Sequence, residues 1–335
     1  MKKALIAALI VLTATVAFAG GSKDSGGGQP RIGVAIYKFD DTFMSTVRNA
    51  ISDAAAGKAS AEIVDSQNAQ PTQNDQVDNF ISKGAKALAI NPVDRTAATV
   101  IISKAKAANI PVVFFNREPL EADMQSWDKV YYVGAKAEDS GTYQGQIIVD
   151  YWKANPAADK NGDGVIQYIM LKGEPGHQDA ELRTQYSIQA VKDAGLKVEL
   201  LAEDTAMWDR PKAVDKMDAF WARFGDKIEV VFCNNDDMAL GVIESLRKVG
   251  FFSGGKFLPV VGVDATAPAL AALAEGTLLG TVLNDGKNQG KATFDLAYAA
   301  ATGASVSGAG WPLDRGKYVW VPYQKVTKEN YKQFQ

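Results

Sequence analysis

Short, continuous runs of apolar residues recur along this chain, and stretches with helical periodicity separate them. One series comprises Ile32 to Tyr37, Ala61 to Val64, Ala87 to Ile90, Val112 to Phe115 and Tyr131 to Val133. A second comprises Ile166 to Leu171, Val198 to Leu201, Val230 to Cys233, Val260 to Val263 and Gly280 to Leu283. Runs without polar alternation are typical of parallel strands that helices cover on both faces. The sequence therefore predicts an α/β fold of βαβ units, in two lobes that divide near Gly134.

The first residues have the pattern of an export signal. Lys2 and Lys3 precede an apolar run and the small-residue motif Ala17-Phe18-Ala19, which predicts a signal peptide over residues 1–19 cleaved near Ala19. The run is too short for a stable membrane-spanning helix, and no stop-transfer pattern follows it. Residues 20–30 are rich in Gly and Ser and are expected to form a flexible leader. We therefore expect an exported protein.

Charge and cysteine content exclude several classes of protein. The net charge is −3, or −5 without the two leader lysines, so a basic surface for nucleic acid is not expected. Cys233 is the single cysteine of the sequence, which rules out an intrachain disulfide and leaves no lipid attachment site near the cleavage motif. We expect a monomer without a nucleic-acid partner.

Polar or aromatic residues follow the ends of several predicted strands. They are Asp41, Asn116, His177, Trp208, Asn235, Asp264 and Asn284. In an open α/β sheet, ligands bind outside the carboxyl ends of the strands, so these residues are expected to share one cleft. Helix capping is the alternative interpretation for Asp41, Asp236 and Asp264.

The single histidine and two aromatic residues are further candidates for this cleft. A lone histidine is usually structural, but His177 follows a strand, and Asp179 and Arg183 lie four residues apart on the next helix. Trp208 follows another strand, and Phe43 opens the first helix of the other lobe. Core packing is the default interpretation of a phenylalanine, yet two aromatic rings from opposing lobes could sandwich the apolar faces of a pyranose.

A possible calcium loop lies at the start of the second series of predicted strands. Side-chain oxygens are present at loop positions 1, 3, 5 and 9, in Asp159, Asn161, Asp163 and Gln167, with the Val165 carbonyl at position 7 and a glycine at position 6. Position 12, which is a glutamate in an EF-hand, is Met170. A polar turn explains the same residues nearly as well, because Asn-Gly-Asp-Gly is ordinary turn chemistry.

Several segments resemble the periplasmic galactose/glucose-binding proteins, solute receptors of ABC sugar importers that also serve chemotaxis. The resemblance covers nearly the whole mature chain, and its strongest segments are residues 31–44, 111–116, 171–177, 204–209, 262–265 and 280–285. It implies that Phe43 and Trp208 stack on the sugar. The residues implied to hydrogen-bond its hydroxyls are Asp41, Asn116, His177, Asp179, Arg183, Asn235, Asp264 and Asn284. Arg117 and Gln178 stand where the family often has Lys and Pro.

The resemblance also completes the calcium site and the fold. It implies that Glu229 supplies the missing carboxylate, so that Ca²⁺ is held by Asp159, Asn161, Asp163, the Val165 carbonyl, Gln167 and Glu229. It implies two Rossmann-like lobes with parallel-type sheets, joined by a three-segment hinge, as in type I periplasmic binding proteins. We assign residues 31–134 and 286–318 to the N-terminal lobe and residues 135–285 and 319–335 to the C-terminal lobe.

The interpretation that follows is a binding protein and not an enzyme. The protein would capture D-glucose or D-galactose between its lobes, deliver the sugar to the permease of an ABC importer and also engage a chemotaxis receptor. A sugar-processing enzyme is the first alternative, but the sequence has no clear pair of catalytic carboxylates. A sugar-responsive transcription regulator is the second, and it would require a basic DNA-binding module.

Overall fold

A computed structural model describes residues 28–335, in which strands and helices alternate. The strands are Arg31–Ile36 (β1), Ser60–Asp65 (β2), Ala87–Ile90 (β3), Val112–Phe115 (β4), Val130–Gly134 (β5), Val165–Lys172 (β6), Lys197–Thr205 (β7), Val230–Cys233 (β8), Val260–Val261 (β9), Gly280–Leu283 (β10), Tyr318–Trp320 (β11) and Gln324–Thr327 (β12). The helices are Thr42–Ala55 (α1), Gln70–Ser82 (α2), Ala98–Ala107 (α3), Glu121–Gln125 (α4), Ala137–Ala154 (α5), Gln178–Asp193 (α6), Arg210–Phe224 (α7), Asp236–Lys248 (α8), Ala267–Glu275 (α9) and Gly286–Thr302 (α10). The predicted signal peptide and most of the predicted leader lie outside the described residues.

The strands form two six-stranded sheets, one in each predicted lobe. The order is β11-β5-β4-β3-β1-β2 in the first sheet and β12-β10-β9-β8-β6-β7 in the second. Neighbouring strands run parallel, as in the register of Ile32 with Ala61, except that β12 is antiparallel to β10. The predicted pair of α/β lobes is present, and the edge strand β12 of the second sheet is the exception to the predicted parallel pairing among the described strands.

The chain passes between the sheets three times, after β5, after β10 and after β11. Helix α5 packs on α6 and the second sheet, whereas α10 packs on α1 and returns to the first. Val319 and Trp320 pair with Val133 and Gly134 of β5, so the first lobe extends two residues beyond the predicted end at 318. No sequence feature separates residue 318 from those that follow, because Tyr318 to Val321 is one uninterrupted strand-like run.

Helices on both faces explain why the strands have no polar alternation. Along β4, Val113 and Phe115 join an apolar cluster with α1 and α10, while Val112 and Phe114 join another with α2 and α3. All four side chains are fully buried, and each such burial contributes about 1.5–3 kcal/mol to folding. The continuous apolar runs therefore follow from two buried faces, as the sequence predicted.

Glycine and side-chain caps end and begin the helices. Helix α8 stops before Gly250, whose φ of 87° is the left-handed conformation expected of a terminating glycine. At their starts, Asp41, His177 and Asn235 cap α1, α6 and α8 by accepting backbone N–H groups. Within residues 28–335, none of the helices combines the length and apolar character needed to cross a membrane.

Candidate functional site

A cleft between the two lobes collects the residues predicted from strand ends. It encloses about 370 Å³ of space not filled by atoms. Its lining consists of Tyr37, Asp41, Phe43, Met44, Asn116, Arg117, His177, Asp179, Arg183, Trp208, Asn235, Asp264 and Asn284. All the residues predicted to contact a sugar are therefore brought together. Tyr37, Met44 and Arg117 were not predicted.

Strained backbone at the strand ends aims several of these side chains. Asn116 has a φ of 60°, Trp208 of 63° and Asp264 of 125°, all positive values that non-glycine residues seldom adopt. Such conformations cost about 1–3 kcal/mol each and persist where surrounding contacts hold them, often at functional sites. Asn116 is held by Asn91, whose Nδ2 donates to the Asn116 Oδ1 at 3.2 Å and to the Phe115 carbonyl at 3.1 Å. Three of the residues that line the cleft are thus held in this uncommon conformation.

The two aromatic rings come from opposite lobes. Phe43 is 9% exposed and belongs both to the core of the first lobe and to the cleft wall. Its packing in the core is therefore compatible with a contact to a bound sugar. Trp208 meets the His177 ring edge-on, with centroids 5.1 Å apart. Its six-membered ring packs directly on Gly173, where an added Cβ would lie only 2.1 Å from Cζ2. The glycine therefore fixes the depth at which the indole sits.

Arg183 is the most constrained polar group of the cleft. It is 3% exposed, and its Nη1 donates to the Asn234 carbonyl at 2.9 Å. Its Nη2 donates to Asp179 Oδ2 and to the Tyr323 hydroxyl, each at 3.0 Å. The predicted Asp179–Arg183 pair on one helix face is thus present. Nε of Arg183 finds no acceptor among residues 28–335. A buried donor left unpaired costs about 1–3 kcal/mol, which a ligand oxygen would recover.

His177 is neutral in this environment. Burial, with Arg117 and Arg183 nearby, holds the pKa of His177 well below its ordinary value. Its Nδ1 accepts the Asp179 backbone N–H at 3.1 Å, so the single imidazole proton resides on Nε2. The capping role and a binding role are therefore compatible, because capping uses one nitrogen and leaves the other as a donor.

Acceptors lie on both sides of the cleft. Asp41 accepts from the Tyr37 hydroxyl at 2.5 Å and from the Met44 N–H at 2.8 Å, which fixes its carboxylate in place. Asp264 accepts from Asn284 Nδ2 at 3.2 Å, and burial raises its pKa well above the ordinary value although Arg183 opposes the change. Capping is confirmed for Asp41, whereas Asp264 does not cap α9: Thr266 occupies that N-cap position, without a capping hydrogen bond from its side chain. Asp236 begins α8, after the cap residue Asn235.

The two lobes also contact one another at the mouth of the cleft. Arg117 Nη2 lies 2.9 Å from Glu174 Oε2, and its Nη1 donates to the Val93 carbonyl at 2.7 Å. Gln178 Nε2 donates to Glu118 Oε2 at 3.2 Å. Arg117 and Gln178 are two of the positions at which the sequence departs from the family it resembles. Both departures therefore form contacts across the closed cleft.

The predicted calcium loop lies at the amino ends of β6 and β8, whereas the cleft lies beyond the carboxyl ends of these strands. Gly162 and Gly164 have φ values of 72° and 71°, which let the loop turn sharply around Asp159. The Asp159 carboxylate accepts the N–H groups of these two glycines at 2.7 and 2.9 Å. Glu229 is 2% exposed and accepts from Lys160 N at 2.7 Å and Gln167 N at 3.1 Å. The remote glutamate thus reaches the loop, as the resemblance implied.

The donor set of this loop fits a hard cation. Asp163 also accepts from the side-chain amides of Asn161 and Gln167, both at 2.9 Å, so all these groups face one another. No three Asp, Glu, His or Cys side chains in the described part of the chain are grouped closely enough to hold a metal alone. A cation here would therefore depend on the amide and carbonyl oxygens as well, which is the mixed set that Ca²⁺ takes.

Comparison with known proteins identifies the family. A model described as a periplasmic binding protein domain matches residues 32–305. The D-galactose/methyl-galactoside binding periplasmic protein of Haemophilus influenzae is 49% identical over 94% of this chain and 96% of its own length. A putative rhizopine-binding protein of Rhizobium meliloti is 33% identical over 100% of this chain and 99% of its own length.

A solved structure confirms the predicted architecture. It is an ABC transporter solute binding protein from Bacillus halodurans with bound myo-inositol, 31% identical, with a TM-score of 0.76. The match covers 92% of this chain and 97% of that one. The shared fold, the matching domain model and the full-length relatives agree. The chain belongs to the periplasmic binding protein family.

Proposed function

We propose that this protein captures D-galactose and D-glucose between its two lobes and presents them to the permease of an ABC importer. The observation that carries the proposal is the cleft itself, in which Phe43 and Trp208 from opposite lobes flank a ring of fixed donors and acceptors. Support comes from the relative of Haemophilus influenzae, whose name specifies galactose and methyl-galactoside. The relatives named above are binding proteins, which confirms the expectation that the chain is not an enzyme.

The charges of the cleft favour a neutral polyol. The guanidinium groups of Arg117 and Arg183 are already paired with Glu174 and Asp179. Asp41 and Asp264 add acceptor oxygens, and an anionic ligand would meet the Asp41 carboxylate as a like charge. Sugar hydroxyls both donate and accept, so they can satisfy carboxylate oxygens and the free donors of Arg183 and His177 together. Asp41 is expected to accept from an axial or an equatorial hydroxyl, which would admit both epimers.

Closure is the second part of the proposal. Because the lining comes from both lobes, a bound sugar completes its contacts only when the lobes meet, and it shifts the equilibrium towards that state. The ion pair of Arg117 with Glu174 forms in the same closed arrangement. The closed form would be the one that the importer reads, and a chemotaxis receptor would use the same form.

The family places the protein in the periplasm, and we propose that the leader directs it there. Cleavage near Ala19 would release a mature chain in which residues 20–30 precede β1 at Arg31. Amino-terminal sequencing of the exported protein would locate the cleavage site.

Calorimetry against a panel of monosaccharides is expected to show binding of D-galactose and D-glucose at one site per chain. The protein is first unfolded and refolded, so that sugar acquired during expression is removed. D-ribose and maltose serve as comparison ligands. Binding of ribose or maltose without binding of either hexose would contradict the proposed specificity.

We further propose that residues 159–167 and Glu229 bind Ca²⁺ as a structural ion. The support is that Asp159, Asn161, Asp163 and Gln167 are spaced along one loop as calcium ligands, and that Glu229 reaches this loop by accepting the Lys160 and Gln167 N–H groups. Gln167 lies near the amino end of β6, and Glu229 immediately precedes β8. The cleft lies beyond the carboxyl ends of these strands. The ion would therefore tie the loop to the second lobe without contacting the sugar.

Removing Ca²⁺ is expected to lower the melting temperature while leaving the affinity for galactose nearly unchanged. An ion that binds only the folded state stabilises it by about 2.7 kcal/mol at a hundredfold excess over its dissociation constant. Thermal unfolding with EDTA and with added CaCl₂ measures the effect. Glu229→Gln should reproduce the effect of the chelator, and Glu244→Gln, an exposed site with the same charge change, should not. An EDTA-insensitive melting temperature in protein shown to contain calcium would indicate that the loop is only a polar turn.

A further inference from the structure

A buried carboxylate lies behind the cleft and is not among the groups that line it. Asp236 is fully buried and comes one position after Asn235, which does line the cleft. Its Oδ1 accepts the Thr281 hydroxyl at 2.6 Å, and its Oδ2 accepts the Thr266 N–H at 2.8 Å. Its own N–H donates to the Val263 carbonyl at 2.8 Å. One aspartate at the start of α8 thus joins β10 to the loop that precedes α9.

That loop contains two residues with uncommon backbone conformations. Asp264 and Ala265 have φ values of 125° and 53°, and such conformations persist only where surrounding contacts hold them. The Thr281 hydroxyl, which donates to Asp236, also accepts the Ala265 N–H at 3.3 Å. The backbone of Asp264 pairs with β10, but this pairing ends before Thr266, whose N–H donates to Asp236. Asp236 therefore holds the loop before and after Asp264, both directly and through Thr281.

The Asp236 carboxylate depends on its donors because it has no contact with solvent. Burial raises the pKa of Asp236, and the donors of Thr281 and Thr266 oppose the change. The carboxylate packs against bare backbone at Gly262, where an added Cβ would lie 2.3 Å from Oδ1. A buried acceptor that loses a donor is costly, so removal of the Thr281 hydroxyl is expected to displace both the carboxylate and the loop.

We propose that Asp236 and Thr281 are positioning residues that hold Asp264 in the conformation in which it lines the cleft. Neither of them lines the cleft, so they act through the backbone of the loop. Without these contacts the loop relaxes towards more common φ angles, and a sugar must restore the original conformation when it binds. All three residues belong to the second lobe, so their arrangement does not depend on how the lobes meet. This inference rests on the proposed function, because it assigns two residues a part in the same site.

The test compares Thr281→Val and Thr281→Ser with the wild-type protein and with Thr277→Val. Valine has nearly the shape of threonine but no hydroxyl, whereas serine keeps the hydroxyl. Thr277 is a buried threonine of the same lobe whose hydroxyl donates to the Ala272 carbonyl at 3.2 Å, so its valine variant controls for the loss of a buried hydroxyl. Calorimetry with D-galactose gives Kd, and a thermal melt of sugar-free protein gives stability. A crystal structure of each sugar-free protein gives the conformation of Asp264.

We expect Thr281→Val to raise Kd about tenfold, the scale of one strained backbone residue. Thr281→Ser should restore most of the affinity, and Thr277→Val should lower the melting temperature to a similar extent without changing Kd. In the crystals, Asp264 should leave its φ of 125° in Thr281→Val and keep it in the other two variants. A Thr281→Val protein with the wild-type Kd, or with the wild-type conformation of Asp264, would overturn the proposal.

Asp236→Asn tests the other end of the same hydrogen bond and serves if Thr281→Val does not fold. The amide oxygen can still accept the Thr266 N–H, but the amide nitrogen cannot accept the Thr281 hydroxyl. Kd should rise severalfold and the loop should again relax. Asp215→Asn, an exposed site in the same lobe with the same charge change, should match the wild type. Wild-type values of Kd and of the Asp264 conformation in Asp236→Asn would overturn the role of Asp236.

The sugar-free crystals separate this inference from the proposed function. A wild-type protein that binds neither D-galactose nor D-glucose counts against the proposed function. The conformation of Asp264 in the sugar-free variants then still decides whether Asp236 and Thr281 position it: a shifted loop supports the inference, and an unshifted loop overturns it.

Discussion

Arg183→Ala is expected to weaken galactose binding by about 2–5 kcal/mol, which is at least thirtyfold in Kd. The substitution removes a guanidinium that lines the cleft and leaves the Asp179 carboxylate, the Asn234 carbonyl and the Tyr323 hydroxyl without their shared partner. Both members of the Arg183–Asp179 pair are buried, with side chains 4% and 14% exposed, so solvent cannot replace the lost contacts cheaply. Isothermal titration calorimetry measures the effect.

Two further variants make the Arg183 result interpretable. Arg183→Lys keeps the charge but loses the planar fork, so its affinity should fall between those of the wild type and the alanine variant. Arg247→Ala breaks an exposed ion pair with Glu275 in the same lobe and should leave both affinity and stability nearly unchanged. If Arg183→Ala folded and bound galactose as tightly as the wild type, the cleft would not be the binding site.

Gly173→Ala is expected to reduce sugar affinity strongly although it changes no polar contact. An added Cβ would lie 2.1 to 2.3 Å from three atoms of the Trp208 ring, so the indole must move towards the cleft. Overpacking of this kind costs about 1–3 kcal/mol, and displacement of a stacking ring costs a similar amount. The combined cost of about 2–6 kcal/mol corresponds to a rise in Kd of at least about thirtyfold, measured by calorimetry.

Two other glycines separate this local effect from general destabilisation. Gly33→Ala would place a Cβ 2.3 Å from the Phe80 ring, far from the cleft, and should lower the melting temperature without changing Kd. Gly308→Ala meets nothing within 4 Å and should change neither quantity. An unaltered Kd for Gly173→Ala would show that Trp208 does not contact the ligand.

The sequence predicted the two sheets because their strands are buried on both faces and therefore read as uninterrupted apolar runs. It did not predict the antiparallel pairing of β12 with β10, since Gln324–Thr327 has neither apolar continuity nor a turn that sets its direction. The sequence also does not show that the first lobe continues past residue 318. Val319 and Trp320 belong to it because they pair with β5, and a pairing between such distant residues has no local sequence pattern.

The cleft residues were predictable to the extent that they follow strands. His177 and Trp208 each come shortly after a predicted strand, so their convergence followed from the parallel topology. Arg117 is adjacent to Asn116, but its ion pair with Glu174 depends on how the lobes meet. Its packing 3.7 Å from the Tyr37 ring centre depends on the strand order within the first sheet. No local sequence pattern indicated a role for Tyr323, because its hydrogen bond with Arg183 joins residues 140 positions apart.

The most direct test of the account is a crystal structure of the protein with D-galactose. The account predicts one pyranose between Phe43 and Trp208, with Arg183 Nε donating to a sugar oxygen and the Arg117–Glu174 pair closed across the cleft mouth. A galactose molecule bound outside this cleft, or one that contacts a single lobe, would contradict it.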